Sequence, residues 1–173
     1  MRRPVALRRP DVAPAPAPGT AGDMSGIELK SAAFNDQALI PRRYTMDGEN
    51  VSPPLSWSGI PDGTVELVLL CEDPDAPTGT FTHWLVTGVN PDSDGVAAGG
   101  EPRGGTPHTN GFGRRGWGGP LPPVGDPAHR YFFRLYAMAE PVSLADDASA
   151  ADVHAAVDGP CLASGTVVGT YQR

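Results

Sequence analysis

The strings VELVLLC (65–71), DPDAP (73–77) and FTHWLVTGV (81–89) decide the fold. The first is a short, continuous apolar run with β-branched members, bounded by a proline-rich turn, and so predicts a buried strand. The third has the same character and is rich in Val, Thr, Phe and Trp, residues that fit a pleated, half-buried surface. Two such runs joined by a short turn predict a pair of antiparallel neighbours. Working outward, YFFRLYAM (131–138) is a third, aromatic-rich strand, Val167–Tyr171 a closing one, and Ile27–Ala33 a weakly alternating one ending at Phe34. Helical signal is confined to the C-terminal third. Residues 149–157 are Ala-rich, with Asp152 in the first turn and Gly159-Pro160 as a stop. With 20 Pro and 22 Gly, the chain favours turns over long helices. The expected fold is mainly β: an antiparallel β-sandwich with one or two short helices near the C-terminus.

A chain of 173 residues fits one ordinary domain. Residues 1–25, with Pro14, Pro16 and Pro18 alternating with Ala, read as a disordered Pro/Ala-rich extension that buries too little apolar surface to order itself. Residues 26–173 read as the folded domain. The arginine pairs at 2–3 and 8–9 are not followed by the apolar stretch a signal peptide needs. No run approaches the roughly 20 apolar residues of a spanning helix. The net charge is −7, and four of the thirteen basic residues but only two of the twenty acidic ones precede Met24. So acidic a domain repels nucleic acid and anionic surfaces, and a phosphate-bearing ligand needs a local pocket. The isolated Cys71 and Cys161 form neither a CxxC nor a metal spacing. They read as buried small hydrophobes in a reduced, cytoplasmic compartment.

Three segments concentrate chemistry. In DPDAP, two prolines stiffen the backbone as it leaves a strand, which fixes the carboxylates of Asp73 and Asp75 beside Pro77. His83-Trp84 opens the next strand. The string GWGGPLPPVG (116–125) then runs into His129-Arg130-Tyr131; its glycines, among them Gly118, let backbone approach a ligand, and Pro120 and its neighbours stiffen the wall. Two imidazoles, a phenol and exposed amides suit a phosphate or carboxylate, with His83, His129 and Tyr131 as donors. Asp73 would fix a histidine tautomer and raise its pKa, or receive an ammonium group. His108 and His154 read as solvated surface residues.

The strings DPDAP and HW, followed by G-G-P-x-P-P-x-G-x-x-x-H-R-Y-x-F-x-L-Y-A, resemble the signature regions of the phosphatidylethanolamine-binding proteins, and above all their bacterial and archaeal Raf-kinase-inhibitor-like branch. PRRYT (41–45), DGENVSPPLSW (47–57) and VGTY (168–171) extend the resemblance over about residues 26–173. It implies a small surface cavity for phosphate-like anions or phospholipid head groups, lined by Asp73, His83, Pro120, His129 and Tyr131, with Asp75, Pro77, Trp84 and Gly118 as neighbours. Trp84 is expected to pack in the core. The resemblance further implies a cis Ala76–Pro77 bond, a homodimer, and a kinase as a possible protein partner. Met46 and Leu121 stand where relatives often carry cysteine, and Trp117 where many carry tyrosine; the packing volume stays while thiols and a phenol are lost.

The leading expectation is therefore a binding protein that is not an enzyme and needs neither cofactor nor metal. Two alternatives stand beside it: a protease inhibitor acting through the Arg-bearing 101–115 loop, and a weak phosphoester hydrolase using His83, His129 and Asp73 as acid and base. No GxSxG, HExxH or P-loop string supports catalysis.

Overall fold

The computed structural model describes residues 26–173; the predicted 1–25 extension lies outside them. Among the described residues, eight strands form two antiparallel sheets. They are β1 (Glu28–Lys30), β2 (Leu55–Ser58), β3 (Glu66–Asp73), β4 (Phe81–Val89), β5 (Gly95–Val96), β6 (Thr106–Pro107), β7 (His129–Met138) and β8 (Cys161–Tyr171). The central sheet has the order β6-β4-β3-β7-β8, and the smaller one β1-β2-β5. The helix α1 (Ala150–Val157) lies near the C-terminus, and a 3-10 turn spans Arg42–Tyr44.

β3 is buried along its whole length, so its two faces feed two cores. Leu67, Leu69 and Cys71 join Trp57, Trp84, Phe133 and Leu135 in the layer between the sheets. Val68 and Leu70 join Tyr136, Met138, Val153, Val157 and Cys161 under α1. This is the two-sided burial a continuous apolar run predicts. It also puts Cys71 and Cys161, both free thiols, on opposite faces of the sheet. Helix α1 starts at a capping box. The Ser149 hydroxyl accepts from the Asp152 amide (3.1 Å), and the Asp152 carboxylate accepts from the Ser149 amide (2.9 Å), satisfying two orphan donors of the first turn.

The two histidines expected as solvated surface residues both bond inward, and His154 alone keeps part of its side chain exposed. His108 is buried, its Nε2 bonded to Thr87 Oγ1 (2.8 Å) and its Nδ1 to the Ala145 carbonyl (3.0 Å). His154 reaches the buried Glu72, its Nε2 lying 2.8 Å from Oε2, and Arg134 Nε donates to Oε1 of the same carboxylate (2.9 Å). A buried carboxylate needs such partners, and a helical position cannot announce that one lies beneath it.

The site grows out of one end of the sandwiched face. Cys71 pairs with Trp84 and Asp73 with Phe81, yet Glu72 pairs with Thr82, so β4 carries an extra residue at His83. This β-bulge shifts the alternation by one. As a result Phe81 and His83, before the shift, face the same side as Trp84 and Val86 after it. Asp73 ends β3, and His129 and Tyr131 begin β7, on that same face.

Candidate anion-binding site

A cavity of about 260 Å³ opens at this end. Asp73, His83, His129 and Tyr131 lie in its wall with Phe81, Phe112, the turn Ala76–Thr78 and the loop Leu121–Pro123. Four of the five predicted site residues thus come together. Pro120 stands one residue behind the wall, its carbonyl accepting from the Met46 amide (3.0 Å), and Leu121 faces the cavity in its place. Of the predicted neighbours, Pro77 lines the cavity, while Trp84 is fully buried in the core. Gly118 binds the back of His83. Asp75 turns aside, and its carboxylate clamps Arg130 with Oδ2 accepting from Nε (2.9 Å) and the backbone amide (2.9 Å), and Oδ1 from Nη2 (2.8 Å). Such a bidentate pair fixes the first residues of β7 against the DPDAP turn. That turn is closed by the Asp75 amide donating to Asp73 Oδ1 (2.7 Å) and the Gly79 amide donating to the Ala76 carbonyl (3.2 Å). Ala76–Pro77 is trans, correcting the cis expectation; there is no cis bond among the described residues.

The two histidines have opposite roles. His129 Nδ1 lies 2.7 Å from Asp73 Oδ2 and Nε2 lies 3.1 Å from Asp126 Oδ2, so both ring nitrogens meet carboxylates. Burial disfavours the imidazolium, but the two hydrogen-bonded carboxylates outweigh it and raise the pKa. Burial pushes the Asp73 carboxyl up, opposed by the bonds from His129 and the Asp75 amide. His83, in contrast, sits among the rings of Phe81 (4.8 Å), Tyr131 (5.1 Å) and Phe112 (5.8 Å). Its Nδ1–H donates to the Gly118 carbonyl at 2.5 Å, and the Gly118 amide donates back to the His83 carbonyl at 2.9 Å. Burial lowers its pKa to about 4, against the pull of the Gly118 and Gly119 backbone. His83 is a neutral imidazole at pH 7 whose one N–H is spent on Gly118, so it is not the ligand donor expected from the sequence.

Tyr131 completes the set. Its residue is fully buried and its hydroxyl has no hydrogen-bond partner among the described residues. Burial, reinforced by the Asp73 charge, raises its pKa, so the O–H stays protonated.

Sequence reasoning missed Phe81, Phe112 and Asp126. The string NGFG (110–113) held the signal for Phe112. A Cβ on Gly111 would lie 2.5 Å from the Phe81 ring, and one on Gly118 would lie 2.5 Å from the Phe112 ring, so both glycines are needed for the aromatic wall to close. Asn110 then ties the loop, Nδ2 donating to the Gly116 carbonyl (2.9 Å) and Oδ1 accepting from the Phe112 amide (2.9 Å). The DGEN string has its reason here too, because Asn50 Oδ1 accepts from the Gly119 amide (2.8 Å) and holds the loop behind the cavity.

Comparison with known proteins agrees with this architecture. The family model described as phosphatidylethanolamine-binding protein matches residues 30–172. A UPF0098 protein of Methanothermobacter thermautotrophicus is 46% identical over 85% of this chain and 99% of its own length. One from Aquifex aeolicus is 40% identical over 85% of this chain and 89% of its own length. Among solved structures, E. coli YbcL, described as a new member of the mammalian PEBP family, superposes with a TM-score of 0.79 at 26% identity, covering 86% of this chain and 99% of that one. No helix among the described residues is long and apolar enough to cross a membrane. With its two antiparallel sheets, its DPDAP turn and its GGPLPP loop around one cavity, this chain belongs to the phosphatidylethanolamine-binding protein family, in the UPF0098/YbcL-like prokaryotic branch.

Proposed function

We propose that the protein is a non-catalytic binding module whose cavity takes a phosphate-like anion, either a small phosphorylated molecule or a phosphorylated group on a protein partner. The observation that carries this reading is Tyr131, a residue of the cavity wall whose hydroxyl is buried and without a hydrogen-bond partner among the described residues. A buried unsatisfied donor costs about 1–3 kcal/mol, and native structures keep few of them; a ligand oxygen beside Tyr131 and the His129 imidazolium would satisfy it. The binding reading is favoured over the hydrolase reading because His129 is held between Asp73 and Asp126, an arrangement that fixes a cation rather than poising a proton for transfer. It is favoured over the protease-inhibitor reading because the 101–115 loop is tied down by His108 and Asn110 and turns Phe112 into the cavity. Cytoplasmic location, pairing as a homodimer and modulation of a kinase belong to the same proposal, as expectations from the buried free cysteines and the family resemblance. Isothermal titration of the full chain with inorganic phosphate, beside a His129→Gln variant, tests it. One saturable site, weakened in the variant, is expected; no saturable heat from the folded wild type would overturn it.

A further inference from the structure

The cavity's hydrogen-bond inventory is uneven. The ionisable groups that face it are Asp73 from β3, His83 from β4, His129 and Tyr131 from β7, and Asp126 beside His129 from the preceding loop; the segments Ala76–Thr78 and Leu121–Pro123 and the rings of Phe81 and Phe112 bring no charge. Tyr131 offers an O–H. His83 has spent its one N–H on Gly118, which leaves Nε2, a lone pair, as the polar atom of that ring available to the cavity. A second ring proton would complete the imidazolium, which burial between Phe81 and Phe112 opposes. An anion that carries only acceptors would bring a lone pair against that lone pair and leave Nε2 unsatisfied in a largely apolar wall. An anion with one P–OH would donate to it.

Building on the anion-pocket reading above, we propose that the cavity selects a phosphoryl group that still carries a proton: the monoanion of a phosphomonoester or of inorganic phosphate, in preference to a phosphodiester or a sulfate of the same charge. Free phosphomonoesters and phosphorylated side chains meet this requirement. The phosphodiester of an intact phospholipid lacks this P–OH.

Titration of the full chain with methyl phosphate, methyl sulfate and dimethyl phosphate tests the selectivity. At pH 5 all three are monoanions, and methyl sulfate differs from methyl phosphate chiefly in lacking the proton. Methyl phosphate is expected to bind at least tenfold more tightly than methyl sulfate or dimethyl phosphate there. With a second pKa of about 6, the monoanion falls from roughly 90% of a phosphomonoester at pH 5 to roughly 1% at pH 8. Methyl phosphate affinity should therefore drop about 90-fold relative to methyl sulfate over that range. Loss of the His129 charge would weaken both ligands alike and leave the ratio unchanged. At pH 7, buffers of different ionisation enthalpy should report uptake of about 0.9 proton per methyl phosphate bound, from the same pKa. A His83→Phe variant, which keeps a ring in a similar place and carries no acceptor, should lose the discrimination; the wild-type ratios decide the matter if it fails to fold. Equal affinity for methyl phosphate and methyl sulfate at pH 5 would overturn the selectivity and leave the pocket standing. Binding of none of the three would overturn the pocket reading and the selectivity with it.

Discussion

Tyr131→Phe removes a single oxygen and should move stability and affinity in opposite directions. The ring stays, so its edge contact with His83 at 5.1 Å and the cavity wall are preserved. In the unliganded protein the hydroxyl is buried without a partner among the described residues, at a cost of about 1–3 kcal/mol. Deleting it should relieve much of that, and for a domain of this size about 1 kcal/mol corresponds to roughly 2–4 °C of melting temperature. A rise of about 2–10 °C is expected. In the complex the same hydroxyl donates to a charged ligand oxygen, an interaction of about 1.5–3 kcal/mol. Phosphate affinity should accordingly fall roughly ten- to 150-fold, at about 1.4 kcal/mol per decade. Thermal unfolding without phosphate, and calorimetric titration with it, read the two effects separately. A variant that melts lower and binds phosphate unchanged would refute the reasoning, because the hydroxyl would then be satisfied inside the protein and not aimed at a ligand.

Asp126 competes with a bound anion for His129 Nε2, which lies 3.1 Å from its carboxylate. That side chain is 40% exposed, so the pair is worth at most about 1 kcal/mol, and Asp126→Ala should tighten phosphate binding up to about fivefold by titration; weaker binding would show that Asp126 supports the site instead of occupying it. His83 should give an acid-side signature. Its folded pKa of about 4 lies below the ordinary 6.5, so its contribution is full above pH 6.5 and is lost as pH falls toward 4. The shift is on the order of 3 kcal/mol. Imidazole NMR should show a midpoint near 4 for this ring, and one near 6.5 would contradict the buried, neutral state. His129 has a raised pKa, so its contribution is full below pH 6.5 and fades as pH rises through the folded value; the excess thermal stability of wild type over His129→Gln should shrink as pH rises from 6 to 9, and a gap that widens would contradict it.

The long central strands and the helix were legible in the sequence, whereas the short β2, β5 and β6 and the first half of β8 were not. β3, β4 and β7 follow from local apolar runs, and the Ser149–Asp152 capping box lies four residues wide in the chain. The sequence also brought out Asp73, His83, His129 and Tyr131, whose rare strings carry the family pattern. What the tertiary structure decided is how those groups are wired. The bulge at His83 resets the face of β4. The Gly118 carbonyl accepts from His83 across 35 positions of chain, and the Asp73 carboxylate accepts from His129 across 56. Phe112 enters from a loop that reads as solvated, Pro120 yields its place to Leu121, and His108 and His154 turn inward to Thr87 and Glu72. Local propensity sets which residues extend and which coil. Protonation, tautomer and wall depend on burial and on partners supplied by distant strands, and those exist only once the sheets have closed.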